Sequence, residues 1–332
     1  MNWYLQSGKD SDVVLSTRIR FLRNIEGYPF YIKDKKQLEE MQNKIKDNLY
    51  SIGYGLKFFK LKDMDEITKQ SLVEKNLITS QFARNKMGQN AILLNDEENI
   101  CIMINEQDHL KIQVFSSGLE LENTLNFAIE LDQKLDDVLG YSKSKKYGYL
   151  TSYPNNCGTG LKASVFLQLS GLTETRNIRS IFNALSGFEI NIKPIEDLKS
   201  VYEISNTKTL GITEQEIING IKVIAEKVTD QERQVRKFLA KDGITLGDKI
   251  YRSYGILSNC KKISFEEAKE YISTLKVGTD LGILPELTDL KVQKMNLYSK
   301  PANLQKYLGN QFSGIEMDIK RAEMIKQIIN EK

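Results

Sequence analysis

Strand-like and helical segments alternate irregularly over the first 241 residues, and this pattern limits the folds open to the chain more than any other feature. Apolar runs of strand length occur at residues 91–94, 100–104 and 110–115, and helical periodicity follows at 119–139. The regular strand–helix–strand repeat that is typical of parallel sheets is missing. The sequence therefore predicts an α+β fold in which helices flank an antiparallel sheet.

Local signals mark further elements of this part. Asp34 is a candidate N-cap for a helix over residues 34–52, and Thr213 with Glu216 forms a capping box before a long helix. Residues 148–151 and 163–169 have strand character, and residues 188–195 alternate apolar and polar side chains. These elements extend the predicted sheet beyond its first three strands.

The character of the chain changes after residue 241. Ser264 and Glu267 form a second capping box, and every later segment has helical periodicity. We expect breaks between these helices at Gly278, Gly282, Pro285 and Pro301. We therefore predict an α+β domain over residues 1–241 and an all-α domain over 242–332.

Composition argues against several classes of protein. The net charge is +3 and the pI about 8.4, which is too mild to indicate nucleic-acid binding. One histidine argues against a histidine-ligated metal, and three widely separated cysteines are typical of free thiols in the cytosol. No run has the apolar length of a signal peptide or a membrane span. We expect a cytoplasmic protein without a metal of its own, a membrane contact or a direct nucleic-acid contact.

Residues 104–111 concentrate chemically versatile side chains in eight positions, including Glu106, Gln107, Asp108 and the only histidine, His109. Asp108 and Lys111 could orient His109, but a lone histidine is more often structural than catalytic. We assign it no proton transfer.

Phosphate binding would have to rely on side chains, because the chain has no Walker-type phosphate loop. On a strand, Arg18 and Arg20 would point to the same face and present two guanidinium groups to phosphate oxygens. The loop over residues 151–164 contains two glycines that would let its backbone approach a ligand, with Lys162 facing that ligand. A solvated strand face and an ordinary turn are the alternatives.

Taken in order, four segments resemble the guanidino (phosphagen) kinases, and within them the bacterial protein-arginine-kinase (McsB) branch. The four segments are Arg18 with Arg20, residues 104–111, residues 153–164, and residues 202–206 followed by Leu210-Gly211. The resemblance covers essentially the whole chain. It implies an antiparallel sheet flanked by helices, a small helical N-terminal part and a helical C-terminal dimerisation domain.

The resemblance also implies a phosphate site for ATP with Mg²⁺. Arg18 and Arg20 match the first pair of phosphate-binding arginines of the family. Lys111 and Lys162 stand where the family has arginine, so the charge is kept while the two-pronged hydrogen bonding of arginine is lost.

The positions that the family uses for catalysis differ more. Gln107 stands where the family has a catalytic glutamate, and Tyr153 stands where it has a cysteine against the substrate. An alignment without gaps places Lys193 at the second catalytic glutamate and Phe188 at another phosphate arginine, although a slip would bring Glu189 or Glu196 near. An amide cannot act as the base that the guanidinium requires, and the tyrosine ring would fill space meant for the substrate.

A last family feature is the phosphoarginine-binding motif of the C-terminal domain. Asp318 and Arg321 match two of its charged positions, whereas Met317 replaces the first arginine. A weak phosphoarginine site and an ordinary charged helix are both open readings of this run.

The resemblance therefore implies a protein-arginine kinase whose catalytic residues are substituted, weak or inactive in phosphotransfer, with a regulatory role in stress-response Clp proteolysis. By analogy its partners would be an McsA-like activator, a CtsR-type repressor, a Clp unfoldase and a second copy of the chain. The alternative is an active kinase that uses Glu106, Asp108 or Glu196 as its base, although on a strand Glu106 would face away from Gln107. A kinase for free arginine or creatine fits the helical C-terminal part less well.

Overall fold

The computed structural model describes residues 2–84, 89–185, 189–195, 198–241 and 243–331. In chain order, the strands are β1 (Val14–Arg23), β2 (Lys57–Lys60), β3 (Ala91–Leu94), β4 (Ile100–Ile104), β5 (Leu110–Ser117), β6 (Lys143–Ser144), β7 (Gly148–Tyr149), β8 (Leu161–Gln168), β9 (Ile190–Pro194) and β10 (Val201–Asn206). The helices are α1 (Lys35–Asp47), α2 (Leu49–Ile52), α3 (Glu66–Glu74), α4 (Ser80–Ala83), α5 (Leu121–Leu139), α6 (Ser170–Glu174), α7 (Ile178–Leu185), α8 (Glu214–Ala240), α9 (Thr245–Asn259), α10 (Phe265–Asp280), α11 (Asp289–Tyr298), α12 (Pro301–Leu308) and α13 (Gly314–Ile329).

Eight of the described strands form one antiparallel sheet in the order β2-β3-β4-β5-β1-β8-β10-β9, and β6 and β7 form a separate small hairpin. β1 lies in the middle, between β5 and β8, so its side chains are surrounded by neighbours on both sides. The predicted fold class is confirmed: helices flank an antiparallel sheet, and the chain continues into a helical C-terminal region.

One face of the sheet is fully covered. The long helices α5 and α8 and the shorter α1 pack against it through apolar side chains such as Leu125, Leu131, Ile221 and Met41. A capping box of Thr213 and Glu216 starts α8, as the sequence predicted. This large core stabilises the sheet through one face, so the opposite face can carry polar and charged side chains.

The opposite face is covered tightly at one end. There α3, α4 and the turn between them bury Leu72, Leu77 and Phe82 against Ile92 and Met103 of the sheet. The middle of this face, around β1, β8 and β10, carries charged side chains instead, and it is called the open face below.

The C-terminal helices form a second core and dock beside the open face. Ile250, Ile272 and Met295 are among the buried residues of that core. The Glu74 carboxylate, at the end of α3, accepts hydrogen bonds from the backbone amides of Ala302 and Asn303 at the start of α12. The predicted boundary at residue 242 stays a prediction, and Asp242 itself lies outside the described residues.

Most local predictions agree with the structure, with some corrections. The helix predicted over residues 34–52 is divided into α1 and α2, with Asp34 capping the first. The strand predicted over 148–151 is only the two-residue β7. The helix break expected at Gly278 is wrong, because α10 continues through this residue to Asp280. No described helix is both long enough and apolar enough to cross a membrane.

Candidate functional site

Arg18 and Arg20 lie on the open face in the middle of β1, as strand alternation predicts. Nη2 of Arg18 donates to Oε1 of Glu203 on β10 at 2.8 Å, and Nη2 of Arg20 lies 3.3 Å from the same oxygen. The hydroxyl of Ser164, on the intervening β8, also donates to this oxygen at 2.6 Å. Two arginines are therefore gathered around one buried carboxylate.

Lys193 joins the same group from β9, at the edge of the sheet. Its Nζ lies 3.1 Å from Oε2 of Glu203, directly opposite it in the β9–β10 register. The lysine side chain is about half exposed, whereas Glu203 is buried. The structure thus brings Lys193, which the sequence places at a family glutamate, to the arginines that the sequence assigned to phosphate.

Lys111 and Lys162 enlarge this positive surface. Nζ of Lys162, at the start of β8, donates to the backbone carbonyl of Asn206 at 3.2 Å. Nζ of Lys111, on β5, lies 3.4 Å from Oε1 of Glu106. Arg18, Arg20, Lys111, Lys162 and Lys193 are called the cation cluster below.

Glu106 faces this cluster, and the expectation that it would lie on a strand and face away from Gln107 does not apply. β4 ends at Ile104, and Asn105 adopts a positive φ of 63°, so Glu106 lies in a turn and not on a strand. The turn directs its carboxylate towards Lys111, where its second oxygen also accepts from the backbone amide of Gln107.

Positive charge exceeds negative charge in this group, since five cations face two carboxylates. Burial alone would raise the pKa of Glu203, but Arg18, Arg20, Ser164 and Lys193 together lower it to about 2. Burial and the neighbouring Arg18 lower the pKa of Arg20 to about 9. Burial likewise lowers the pKa values of Lys111 and Lys162. An added anion would relieve this excess of positive charge.

Two guanidinium nitrogens in the cluster have no partner among the residues that the structure describes. Nε of Arg18 and Nε of Arg20 are buried and make no hydrogen bond within the described residues. Buried donors of this kind are costly unless a ligand or water completes them. The donor set, which consists of guanidinium and ammonium groups, suits phosphate oxygens.

Gln107 and Tyr153 are brought near each other by a loop contact. The hydroxyl of Ser152 donates to the backbone carbonyl of Gln107 at 2.8 Å, and the Ser152 amide donates to Oδ1 of Asp108 at 2.6 Å. The Gln107 side chain is exposed, and Tyr153 is 51% exposed. Of the other positions weighed for this site, Phe188 and Glu196 lie outside the described residues, whereas Glu189 is described and pairs with Lys208 at 3.2 Å.

His109 is structural, in agreement with the sequence interpretation, but its orienting partners are different from those expected. Its Nδ1 accepts from the backbone amide of Ile25 at 3.0 Å, and its Nε2 lies 2.9 Å from the carbonyl oxygen of Pro29. Because Nδ1 accepts a hydrogen bond, the ring proton is on Nε2 and is donated to Pro29. Burial lowers the pKa of His109, so the neutral ring is the stable form.

The two glycines of the 151–164 loop approach the protein's own backbone. A Cβ on Gly158 would meet the carbonyl oxygen of Thr209 at 2.3 Å, and one on Gly160 would meet the carbonyl oxygen of Leu22 at 2.8 Å. Both residues have positive φ angles, 99° and 60°. These glycines serve the packing of the loop against β1 and the segment after β10.

Asp318 and Arg321 form a separate pair on α13. Nη1 of Arg321 lies 2.5 Å from Oδ1 of Asp318 and also donates to the carbonyl of Ile263 at 2.8 Å, while Nε donates to the carbonyl of Ser299 at 2.7 Å. Arg321 is 1% exposed, so its guanidinium already holds three C-terminal segments together. Its role towards phosphoarginine stays a prediction.

Sequence reasoning gave no role to Glu203, the residue on which the cluster converges. The available signal was a charged residue inside the otherwise apolar and polar run of β10. A carboxylate in a buried strand requires cations nearby. Asn206, at the end of the same strand, was likewise given no role from the sequence. Its side chain closes the strand end by hydrogen bonding to the backbone of Leu161, Ala163 and Lys208.

No cluster of three or more histidine, cysteine, aspartate or glutamate side chains that could hold a metal occurs among the described residues.

Comparison with known sequences identifies two matching families. Residues 37–235 match the ATP:guanido phosphotransferase C-terminal catalytic domain, and residues 243–332 match the protein-arginine kinase McsB C-terminal domain. The protein-arginine kinase of Halothermothrix orenii is 40% identical over 99% of this chain and 96% of its own length. That of Listeria welshimeri is 38% identical over 100% of this chain and 97% of its own length.

Solved structures show the same fold at lower identity. A lombricine kinase is 22% identical with a TM-score of 0.58, over 70% of this chain and 71% of that chain. The duplicated taurocyamine kinase from Schistosoma mansoni with bound transition-state-analogue components is 24% identical with a TM-score of 0.58, over 68% of this chain. This chain spans only 33% of that duplicated protein. At these identities the likeness supports the fold alone.

Proposed function

The chain belongs to the protein-arginine kinase family of ATP:guanidino phosphotransferases, and we propose that it binds ATP but transfers phosphate weakly or not at all. In this proposal the protein is a pseudokinase that acts by binding. Its role would be regulatory, in the stress-response Clp pathway.

The cation cluster supports the nucleotide-binding half of the proposal. Its five cations face only two carboxylates, and the Nε atoms of Arg18 and Arg20 lack partners within the described residues. A triphosphate chain would supply the missing acceptors and neutralise the excess charge. Mg²⁺ carried on the phosphates would add the charge neutralisation that phosphoryl transfer needs.

The ion pair of Lys193 with Glu203 supports the second half of the proposal, that phosphate transfer is weak or absent. A protonated arginine side chain is a poor nucleophile, so transfer needs carboxylates that align the guanidinium and accept its proton. Lys193 places a cation at one such family position, where it would repel the incoming guanidinium. Gln107 places a neutral amide at the other, and an amide cannot accept that proton.

Glu106 favours a second candidate function, an active protein-arginine kinase with a rearranged site. Its carboxylate faces the cluster, close to the position of the missing base. Against this, Lys111 already pairs with Glu106, and Glu203, the other carboxylate of the group, is already paired with Arg18, Arg20 and Lys193. We therefore rank this candidate second.

The partners of the family extend the proposal. A chain that keeps the fold and the nucleotide site could still engage an McsA-like activator, a CtsR-type repressor or a Clp unfoldase, and could pair with a second copy of itself. In this view ATP would control which partner is bound, without a phosphorylated product.

The decisive experiment incubates the full chain with γ-labelled ATP, Mg²⁺ and an arginine-rich protein, and measures acid-labile label on the protein. We expect ATP binding by calorimetry with little or no label. Robust label that disappears in Glu106→Gln would refute the proposal and establish the second candidate. Absence of ATP binding would refute the nucleotide-binding half.

A further inference from the structure

A cavity of about 170 Å³ lies between the open face of the sheet and the C-terminal helices. Phe115 on β5 and Phe166 on β8 contribute aromatic rings from the sheet side. Val292, Asn296 and Leu297 of α11 contribute the facing wall. The cavity therefore exists only because the C-terminal region is docked against the sheet.

The cavity continues directly from the cation cluster through Arg18. The Arg18 guanidinium is centred 4.9 Å from the centroid of the Phe166 ring, so it lies over the lining of the cavity. The same guanidinium bonds Glu203 within the cluster at 2.8 Å. A nucleotide whose phosphates lie at the cluster would place its base in this cavity, with the sugar between the two.

The walls suit a flat aromatic ring system. Phe115 is held in place by Trp3, whose ring stacks on it at 5.1 Å between centroids. Aromatic side chains bind nucleobases by stacking, and aliphatic side chains on the opposite wall exclude water from the second face of the base. An enclosed cavity of about 150 Å³ holds benzene in a protein interior, and this cavity is somewhat larger and opens towards the cation cluster, so a flat base can enter it.

Asn296 gives the cavity a means of reading the edge of the base. Its side-chain amide lines the cavity and makes no hydrogen bond within the described part of the chain. An asparagine amide offers one donor and one acceptor side by side, which matches the donor and acceptor that adenine presents together. Guanine presents a pair of acceptors at the corresponding edge and fits this amide less well.

We propose that α11 of the C-terminal region completes the nucleotide site, and that Asn296 is a specificity-determining residue that selects adenine. This inference rests on the proposed nucleotide binding and adds the C-terminal region to it. The solved structures of similar fold overlap this chain over only 66–70% of its length, so the likeness to them assigns nothing to α11.

The segments on either side of α11 are fastened to the first domain by Lys276 of α10 and by Lys300, which precedes α12. Nζ of Lys276 donates to the carbonyl of Ser11 at 3.0 Å, and Nζ of Lys300 donates to the carbonyl of Glu74 at 2.5 Å. A base that contacts both walls adds to these contacts. Binding of ATP is therefore coupled to docking of the C-terminal region, whereas binding of a phosphate chain alone is not.

The test uses the full chain and compares ATP, GTP and inorganic tripolyphosphate, each with Mg²⁺, by calorimetry. We expect ATP to bind more tightly than GTP, and Asn296→Ala to weaken ATP binding about tenfold while leaving tripolyphosphate binding unchanged. Asn259→Ala is the matched control, because Asn259 is an exposed asparagine of α9 outside the cavity. We expect this control to leave all three affinities unchanged.

Hydrogen exchange on the unmodified chain provides a second readout that does not depend on folding of the variant. We expect ATP, but not tripolyphosphate, to slow exchange of the amides of α11. Equal binding of ATP and tripolyphosphate, with no protection of α11, would overturn this inference and leave the proposed phosphate site intact. Failure of the unmodified chain to bind either ligand would overturn both.

Discussion

The guanidinium of Arg18 and the carboxylate of Glu203 lie 2.8 Å apart on the open face of the sheet, and four side chains donate to or pair with that carboxylate. Glu203 thus supplies negative charge at the centre of a group of cations. It holds the arginine side chains in place, and it leaves most of the positive charge available for an incoming phosphate. Stability and nucleotide binding are both linked to this one residue.

Glu203→Gln should destabilise the protein in a manner that depends on pH. The pKa of Glu203 falls from 4.5 in the unfolded chain to about 2 in the folded protein, so its charge stabilises the fold above pH 4.5. This contribution, about 3 kcal/mol, is lost as the pH falls from 4.5 towards 2. Urea denaturation of wild type and Glu203→Gln at several pH values measures the free energy of unfolding of each. The difference between them should be largest at pH 6 and should shrink on acidification.

Glu323→Gln is the control for that series, since Glu323 forms only an exposed pair with Lys320. Its effect should stay within about 0.5 kcal/mol at every pH. A constant gap between wild type and Glu203→Gln across the acid range would show that the charge of Glu203 is not what stabilises the fold.

Arg20→Ala should weaken ATP binding by about tenfold or more, because a charge-assisted hydrogen bond to phosphate is lost. Arg20 is the better choice for this test than Arg18, which also packs over Phe166. Arg252→Ala, on the exposed side of α9, removes the same charge far from the cluster and should change nothing. Equal affinities for the two variants, measured by calorimetry, would contradict the assignment of the cation cluster to phosphate.

Restoring the family residues should reveal whether only the chemistry has been lost. The triple variant Gln107→Glu, Lys193→Glu and Tyr153→Cys replaces the amide, removes the cation that repels guanidinium and returns the substrate-side thiol. We expect measurable acid-labile label on an arginine-rich protein where the unmodified chain gives little. Groups that act as a unit do not add, so each single variant should give far less than a third of the gain. A silent triple variant that still binds ATP would show that the scaffold has also changed.

Local signals in the sequence predicted the helices and strands, but they did not predict which side chains meet across the sheet. The capping boxes of α8 and α10 and the strands β3 and β4 depend on residues close in sequence, and these predictions were confirmed. The role of Glu203 depends on Arg18, which is 185 residues away along the chain. Pairing of this kind is decided by strand order, which a single sequence does not reveal.

The direction of Glu106 illustrates a different limit. Side chains alternate between the two faces only within a strand. Asn105 has a positive φ and ends the strand before Glu106, so alternation does not predict the direction of the Glu106 side chain. The prediction of a helix break at Gly278 was wrong for a similar reason. A glycine is needed there because Ile250 packs too close to leave room for a Cβ. Such errors arise where tertiary contacts override local preference.

His109 provides a pH probe, because it is the only histidine in the chain. Burial lowers its pKa in the folded protein, so the unfolded chain takes up a proton first as the pH falls below about 6.5. The folded state should therefore lose stability on acidification from pH 7 to pH 5, because the His109 ring can bind a proton in the unfolded chain but stays neutral in the folded protein. His109→Asn, measured by thermal unfolding, should be less stable at pH 7 and should lack this part of the pH dependence. An unchanged slope between the two proteins would contradict the buried neutral ring.

Two helical glycines provide a matched pair for the packing of the C-terminal core. A Cβ on Gly278 of α10 would lie 2.6 Å from Cγ2 of Ile250 and 3.2 Å from Cδ1 of Leu284, so Gly278→Ala forces these buried side chains apart. The expected cost is about 1–3 kcal/mol, as is usual for overpacking. Gly220 of α8 is exposed and has no atom within 4 Å of a Cβ, so Gly220→Ala should stabilise the fold by about 0.5–1 kcal/mol. Chemical denaturation of both variants measures the difference directly, and effects of the same sign would show that α9 and α10 do not pack at Gly278 as closely as the structure places them.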